Sequence, residues 1–202
     1  STGYHGAPIL AGRASLRARP GLVSIFTPAY QAVSAHCQSI MVHPWGRGCI
    51  KALSGATALV VGPGLASDNI EDSLHQTVLN PWDQSGKPMV IDASALDWLP
   101  REAPGTSAFR LMTPHPGEAA RLLECSVDEV ESNRLRAART LAEQFGVTVL
   151  LKGRHTILAQ ASGPALVNST GNVGLAQGGS GDVLAGFIGG LLAQPAFHGR
   201  EI

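Results

Sequence analysis

The sequence predicts an α/β protein with a mostly parallel central sheet. Short segments rich in valine, leucine, isoleucine and methionine alternate with amphipathic helical patterns, which is typical of strand–helix–strand units. Several of these segments are followed by polar or glycine-rich residues, and open parallel sheets bind ligands beyond the carboxyl ends of their strands. A glycine-rich run around residue 180 leads into an apolar helical pattern, as many phosphate sites do. These three observations favour an α/β protein that binds small molecules.

Length and charge restrict the classes of protein to which the chain can belong. Its 202 residues are predicted to form one domain, 1–202, although the same length would also suit two small domains. Fifteen basic residues balance fifteen acidic residues, and neither sign forms a block or a stripe. This pattern argues against nucleic acid and membrane surfaces as partners, so we expect small-molecule partners.

The cysteines indicate a reducing compartment. Cys37, Cys49 and Cys125 are odd in number and far apart, which argues against a disulfide framework and against a zinc cluster. The histidines show no metal-ligand spacing either. Apolar runs are shorter than a membrane span, and the first residues do not resemble a signal peptide. We therefore expect a cytoplasmic protein.

The strand pattern is clear along most of the chain. Strands are predicted at residues 22–26, 59–61, 89–91, 110–112, 147–151, 156–159 and 165–167. Gly163 and Pro164 separate the last two, which predicts a hairpin and therefore an antiparallel edge on the sheet. Residues 81–88 and 100–107 are predicted to be surface loops because they begin at prolines and are polar.

Two helices are predicted before the fifth strand. The apolar pattern from residue 132 ends at Gly146, a typical helix stop. Ser126 and Glu129 have the spacing of a capping box, which predicts a short helix just before. A helix followed by a buried strand indicates a crossover onto a parallel sheet.

The loops after the second and third predicted strands have two interpretations each. Gly62 and Gly64 follow the strand at 59–61, where they either bring the backbone close to a ligand or form a plain tight turn. Asp92 follows the strand at 89–91, and the favoured interpretation is an ordinary N-cap of a helix over 93–99.

The loops after the next two strands are also ambiguous. His115 lies between Pro114 and Pro116, so it is either presented stiffly to a ligand or is a solvated loop histidine. Pro116 is suited to open the next helix. Residues 152–156 offer a charge, a glycine and a hydroxyl, which could hold phosphate or ribose or could form a charged turn.

The glycine run combines an anion cradle with one acid at the start of a helix. Glycines let backbone N–H groups approach an oxyanion, and the helix terminus adds unpaired amides and a positive dipole end. Ser180 is the expected N-cap. Asp182 is either a general base or a first-turn acid that only complements the dipole. The apolar face of this helix is formed by Val183, Leu184, Phe187, Ile188, Leu191 and Leu192.

Together these segments resemble the ADP/ATP-dependent NAD(P)H-hydrate dehydratases, carbohydrate-kinase-like repair enzymes of the ribokinase-like superfamily. The resemblance extends along nearly the whole chain. The motifs that carry it are Tyr4-His5-Gly6-Ala7-Pro8-Ile9-Leu10, Val61-Gly62-Pro63-Gly64-Leu65, Ile91-Asp92-Ala93, Thr113-Pro114-His115-Pro116-Gly117-Glu118, Leu151-Lys152-Gly153 and residues 168–186.

The resemblance implies a three-layer α/β/α ribokinase-like fold with helices on both faces of the sheet, and it implies the site residues. The substrate-binding residues by this resemblance are Ala7, Gly64, His115 and Asp182. The nucleotide-binding residues are Lys152, Gly153, Arg154, His155, Thr156 and Gly181, with the backbone of Gly178, Gly179 and Ser180 completing the phosphate cradle.

The implied activity is that of a lyase in metabolite repair. The nucleotide phosphorylates the ring hydroxyl of hydrated NADH or NADPH (NADHX or NADPHX), Asp182 acts as general base, and expulsion of phosphate restores NAD(P)H. Mg²⁺ is expected to bridge phosphate oxygens, and no protein ligand for it is assigned. The co-substrate is ADP or ATP. A compact chain without an animal-type targeting segment favours ADP, and the resemblance suggests a homo-oligomer, specifically a homotetramer.

Departures from the family pattern leave alternatives open. A strand and a Gly-Gly turn usually precede the Tyr4 motif and helical sequence usually follows the last helix, so we expect a domain trimmed at one or both ends. Ser94 replaces a second acid, and Gln177 replaces a threonine before the glycine run. The alternatives are a related kinase of the hydroxyethylthiazole or sugar type, and a nucleotide-binding protein without turnover.

Overall fold

The computed structural model describes residues 3–46, 48–65 and 72–197. The helices are α1 (Gly6–Arg17), α2 (Tyr30–Ser34), α3 (Gly48–Gly55), α4 (Asp72–Gln84), α5 (Pro116–Leu123), α6 (Val127–Ser132), α7 (Arg134–Phe145) and α8 (Ser180–Leu192). The strands are β1 (Ser24–Thr27), β2 (Met41–Pro44), β3 (Leu59–Val61), β4 (Met89–Ile91), β5 (Arg110–Met112), β6 (Thr148–Leu151), β7 (Ile157–Ala159) and β8 (Leu166–Val167). Short 3₁₀ segments lie at Ala93–Trp98, Val173–Leu175 and Pro195–Phe197.

The main sheet is mixed, with its parallel strands in chain order. Its strand order is β3-β4-β5-β6-β7-β8, and β3 to β6 are parallel. β7 pairs antiparallel with both β6 and β8, which confirms the predicted hairpin at one edge. β1 and β2 form a separate parallel pair. Because four consecutive strands are parallel, their carboxyl ends lie side by side along one edge of the sheet.

Alternating side chains attach helices to both faces of this sheet. Met89 and Ile91 of β4 are fully buried in a core with α4, α5 and α7. Val90 points to the opposite face, where it packs with Ala185 and Leu192 of α8. The prediction of a mostly parallel α/β sheet with helices on both faces is confirmed. That the elements belong to one domain stays a prediction.

α1 and α8 pack together through residues with little or no side chain. A Cβ built on Gly186 would lie 2.1 Å from the carbonyl oxygen of Ala11, and one on Gly190 would lie 2.5 Å from that of Ser15. Ser15 fixes the contact, because its hydroxyl donates to the Gly186 carbonyl at 2.8 Å. Such a close approach between two backbones requires glycine on one side.

The loop predicted at 81–88 is wrong at residues 81–84, which belong to the end of α4, whereas residues 85–88 connect α4 to β4. Pro81 was expected to begin a surface loop, yet it lies inside α4. The buried guanidinium of Arg110 donates to the carbonyls of Pro81, Trp82 and Ser85 at 2.9, 2.9 and 2.7 Å. These bonds satisfy carbonyls near the carboxyl end of the helix, so a helix that contains proline is stabilised by a side chain from the sheet.

Other boundaries differ from the predictions by a few residues or in kind. β1 begins at Ser24 rather than at residue 22, and the helix predicted at 132 begins at Arg134, with Asn133 as its N-cap. The capping box of Ser126 and Glu129 is present as predicted. Ser180 is not an N-cap: Gly179 takes that position with a φ of 89°, a left-handed conformation that favours glycine.

Candidate active site

Four strand ends form one edge of the site. The loop at Gly62 and Gly64 follows β3, Asp92 follows β4, His115 follows β5 by three residues, and Lys152 follows β6. Parallel pairing of these strands brings together residues that are far apart in the sequence.

The two loop glycines allow backbones to approach closely. Gly62 has a φ of 124°, and a Cβ there would overlap the carbonyl of Asp92. Gly64, with a φ of 80°, lies against Pro8 and the carbonyl of Tyr4, where a Cβ would be 2.6 and 2.9 Å away. Gly64 therefore lies beside the start of α1, which carries the half-buried Ala7. The structure thus brings Gly64 close to the segment that holds Ala7.

His115 is held by the helix that it caps. Its Nδ1 accepts hydrogen bonds from the N–H groups of Gly117 and Glu118 at 3.0 and 3.3 Å, while a carboxylate oxygen of Glu118 accepts from the His115 N–H at 2.7 Å. An imidazole that accepts at Nδ1 carries its proton on Nε2 when neutral. About half of the His115 side chain is exposed, and its Nε2 lies 3.5 Å from Glu118 Oε1.

A buried ion pair crosses three strand ends. The ammonium of Lys152 lies 2.6 Å from Asp92 Oδ1 and 3.6 Å from Glu118 Oε2. The three side chains are 18%, 3% and 7% exposed, respectively. Asp92 does precede a 3₁₀ segment, but its carboxylate makes no capping bond there. Asp92 therefore takes the predicted N-cap position, but its carboxylate pairs with Lys152 instead of capping the segment.

Asp182 lies in the first turn of α8, above this ion pair. A Cβ on the neighbouring Gly181 would be 3.4 Å from the Lys152 ammonium and 3.8 Å from Asp92 Oδ2. Burial raises the pKa of the Asp182 carboxyl, Asp92 raises this pKa further, and Lys152 partly offsets both effects. A half-buried carboxylate with a raised pKa at a helix terminus has the properties of a general base.

The remaining glycine-run residues have different environments. Gly178 is exposed, whereas Gly179, Ser180 and Gly181 are half-buried. The N–H and hydroxyl of Ser180 both donate to the Gln177 carbonyl, at 3.3 and 2.9 Å. Ser180 therefore uses its polar groups to shape the turn.

The residues after Lys152 form a turn at the rim. Gly153, Arg154 and His155 are exposed, and Thr156 is half-buried, with its hydroxyl donating to the Gly153 carbonyl at 3.2 Å. Gly153 has a φ of 142°, and a Cβ there would lie 2.8 Å from the guanidinium of Arg134. Only Lys152 of this predicted nucleotide segment extends its side chain into the buried ion pair.

Sequence reasoning missed the role of Glu118. The sequence places Glu118 in the Thr113–Glu118 motif but predicts no role for it. In the structure Glu118 completes the capping box at His115 and lies near Lys152. The available signal was the His-x-x-Glu spacing at a helix start, which is that of a capping box with histidine in the serine position.

Among the described residues no helix combines the length and apolar character that a membrane span requires. The same part of the chain holds no group of three or more His, Cys, Asp or Glu side chains placed to bind a metal ion.

The fold and the strand-end site define a ribokinase-like α/β protein. A solved ribokinase-like superfamily protein from Enterococcus faecalis superposes with a TM-score of 0.79 at 28% identity, covering 95% of this chain and 68% of that one. A family model described as NAD(P)H-hydrate dehydratase matches residues 1–201, and the chain belongs to this family.

Relatives with this description are similar along nearly the whole chain. A bifunctional NAD(P)H-hydrate repair enzyme of Escherichia coli is 40% identical over 195 residues, and an ADP-dependent (S)-NAD(P)H-hydrate dehydratase of Neisseria meningitidis is 37% identical over 210 residues. These alignments cover 95% and 98% of this chain, and 37% and 69% of the relatives. The chain thus spans well under half of the bifunctional enzyme and about two thirds of the dehydratase.

Solved structures support the same fold assignment. An ADP/ATP-dependent NAD(P)H-hydrate dehydratase of Bacillus subtilis, co-crystallised with ATP and Mg²⁺, gives a TM-score of 0.80 at 30% identity and covers 96% of this chain and 69% of that one. A hydroxyethylthiazole kinase protein of Pyrococcus horikoshii gives 0.58 at 16% identity, covering 93% of this chain and 76% of that one, a likeness of fold alone.

Proposed function

We propose that this chain dehydrates NADHX and NADPHX to NADH and NADPH in a reaction that consumes ADP or ATP. The observation that carries this proposal is the half-buried Asp182 in the first turn of α8, directly after the glycine run and above the strand ends. Membership of the dehydratase family supports the choice of substrate.

The first step is a phosphoryl transfer. The hydroxyl oxygen of the hydrated ring attacks the terminal phosphorus of the nucleotide, the bond from that phosphorus to the bridging oxygen breaks, and Asp182 accepts the hydroxyl proton. A raised pKa suits this task, because a base works best when its pKa lies near the operating pH. The backbone at Gly178, Gly179 and Gly181 and the positive end of α8 stabilise the charge on the transferred group.

The second step is an elimination. The ring carbon–oxygen bond breaks, phosphate leaves with the electron pair, and loss of a ring proton restores the double bond. Phosphate is a far better leaving group than hydroxide, which explains why the nucleotide is needed. His115 presents its Nε2–H to the substrate, and the backbone at Ala7 and Gly64 contacts the substrate beside the start of α1.

Mg²⁺ belongs with the nucleotide in this proposal. Asp92 and Glu118 are already engaged with Lys152, so the donor set fits a cation that is held by phosphate oxygens and water rather than by a protein cage. When bound, the ion would neutralise charge on the phosphate oxygens.

The test is a coupled assay with a matched control. Protein, NADHX, Mg²⁺ and either ADP or ATP are mixed, and the near-ultraviolet absorbance of the restored dihydronicotinamide is followed together with phosphate release. We expect both signals to rise together, and Asp182→Asn to slow them by about a hundredfold to ten-thousandfold. Asp97→Asn is the control, because Asp97 pairs with Arg121 on the exposed surface.

Other outcomes would identify the rival functions. A stable phosphoester without NADH would indicate a small-molecule kinase, and nucleotide binding without any product would indicate a protein without turnover. A near-normal rate in Asp182→Asn would remove Asp182 from the mechanism. Parallel assays with ADP and ATP decide the preferred co-substrate, for which the proposal is ADP.

We also infer a homo-oligomer, specifically a homotetramer, and a cytoplasmic location. Exposed apolar side chains on β8 and on the 3₁₀ segment that follows it support subunit contacts: Leu166, Val167, Val173 and Leu175. The free thiols of Cys37, Cys49 and Cys125 support a reducing compartment. Sedimentation analysis and fractionation of cells test these two inferences.

A further inference from the structure

The side chain of Lys152 reaches across the end of β5 to Asp92. It follows β6, whereas Asp92 follows β4, and β5 lies between them. The Lys152 N–H donates to the Pro114 carbonyl at 2.8 Å, which fixes the start of the side chain in the loop after β5. The ammonium is therefore placed by three adjacent strand ends rather than by an exposed turn.

The ammonium lies beneath the start of α8. It is 2.6 Å from Asp92, and the Cβ position of Gly181 is 3.4 Å away. Asp92 and Glu118 are more than nine-tenths buried, so removing the ammonium would leave two buried carboxylates without their cation. The side chain of Lys152 is thus committed to a buried ion pair next to Asp182.

We propose that Lys152 is a positioning residue for Asp182: its ammonium, held by Asp92 and Glu118, balances the charge that the Asp182 carboxylate faces and so sets the pH range in which Asp182 accepts a proton. This inference rests on the role of Asp182 in the function proposed above. By this inference the Lys152 ammonium acts on Asp182. Contact with the nucleotide at residues 152–156 is then made by the backbone and by the exposed turn that follows Lys152.

The charged groups around Asp182 are few among the described residues. Asp92 and Lys152 act on it from the ends of β4 and β6, while Glu118 contacts Lys152 and His115 contacts Glu118. β3 contains only apolar residues, and α1 contacts α8 through small residues, while its Arg13 donates to the His36 carbonyl. Arg17, in the last turn of α1, lies three turns beyond Ala7.

The two members of the ion pair act on Asp182 with opposite signs. Lys152 lowers the pKa of Asp182, and Asp92 raises it. Lys152→Met should therefore move the acidic limb of the kcat/KM profile to higher pH, and Asp92→Asn should move it to lower pH. The double variant should lie between the two single variants, because the opposing charges are removed together.

The experiment combines this pH profile with nucleotide affinity. Lys87→Met is the matched control, since Lys87 is another half-buried lysine, whose ammonium donates to the carbonyls of Leu53 and Ser54 away from the site. We expect Lys87→Met to leave the profile unchanged. ADP affinity in Lys152→Met, measured by calorimetry, should fall by less than about threefold, whereas losing a charged phosphate contact typically weakens binding about tenfold or more.

A second measurement does not depend on turnover. The carboxyl signal of Asp182 is titrated by NMR in protein made with isotope-labelled aspartate, with Asp182→Asn giving the assignment. If the wild type shows no dehydration, the proposed function fails while this titration still tests the role of Lys152. If Lys152→Met does not fold, Asp92→Asn decides alone. Its expected effect is a titration of Asp182 at lower pH, which general damage to the protein would not produce.

Three results would overturn the inference. The first is a shift of both pH profiles in the same direction, and the second is no shift in either variant. The third is a loss of ADP affinity of about tenfold or more in Lys152→Met with an unchanged pH profile, which would assign the ammonium to the phosphates.

Discussion

Replacing Gly186 by alanine should push α1 away from α8 and destabilise the protein. The new Cβ would lie 2.1 Å from the Ala11 carbonyl oxygen, and ordinary contact begins at 3.4 Å, so the helices must separate by about 1.3 Å (3.4 − 2.1). The atoms of Ala11 that the new Cβ would meet all belong to the backbone, so no side chain can rotate away. The same movement would break the 2.8 Å bond from Ser15 to the Gly186 carbonyl.

The magnitude follows from three contributions. Overpacking costs about 1–3 kcal/mol, and the lost hydrogen bond costs about 0.5–1.5 kcal/mol. Alanine recovers about 1 kcal/mol because it favours a helix more than glycine does. The free energy of unfolding should therefore fall by about 0.5–3.5 kcal/mol, and a value near 2 kcal/mol lowers Tm by about 4–8 °C in a chain of this size.

Urea unfolding followed by circular dichroism measures this change. Gly6→Ala is the control, because Gly6 is also a helical glycine but a Cβ there would meet no atom within 4 Å. A Gly186→Ala variant as stable as the wild type would refute this prediction, because the close approach of the two backbones would then not limit the packing.

Two further predictions concern stability. Arg110→Met should lower the free energy of unfolding by at least about 3 kcal/mol, because three hydrogen bonds from the buried guanidinium to the carbonyls of Pro81, Trp82 and Ser85 are lost. Arg101→Met only breaks an exposed pair with Glu124 and should change the free energy of unfolding by less than about 1 kcal/mol, so equal effects of the two variants in urea unfolding would contradict this. Asp182→Asn should raise Tm at neutral pH. Burial raises the pKa of Asp182, so the folded state disfavours its carboxylate and the native protein loses stability as pH rises through that pKa. The gain in Tm should therefore vanish in acid, where the wild-type carboxyl is protonated. A gain in Tm that is independent of pH would show that the buried charge of Asp182 is not its cause.

The sheet was predictable from the sequence because its core strands are short apolar runs bounded by breakers. β3, β4 and β5 begin and end where the pattern placed them. α4 was harder to predict, since Pro81 is a helix breaker by local rules and the bonds from Arg110 that stabilise the end of this helix are long-range.

The site was predictable in its residues but not in their contacts. His115 and Asp182 were singled out by motif, yet the capping of His115 by Glu118 and the pairing of Asp92 with Lys152 were not foreseen. Asp92 and Lys152 are 60 positions apart, and the strand order that brings them together is not encoded in either loop. Local rules therefore assigned Asp92 to its nearest helix rather than to its true partner.

The contact between α1 and α8 has a consequence for synthesis on the ribosome. Ser15 and Gly186 are 171 positions apart, so α1 and α8 can bury their small-residue faces against each other only after α8 has been synthesised. A nascent chain that has emerged only as far as β8 would already carry His115 and Lys152 but would still lack Asp182, the proposed proton acceptor. The proposed chemistry can therefore start only after translation has passed every strand of the main sheet.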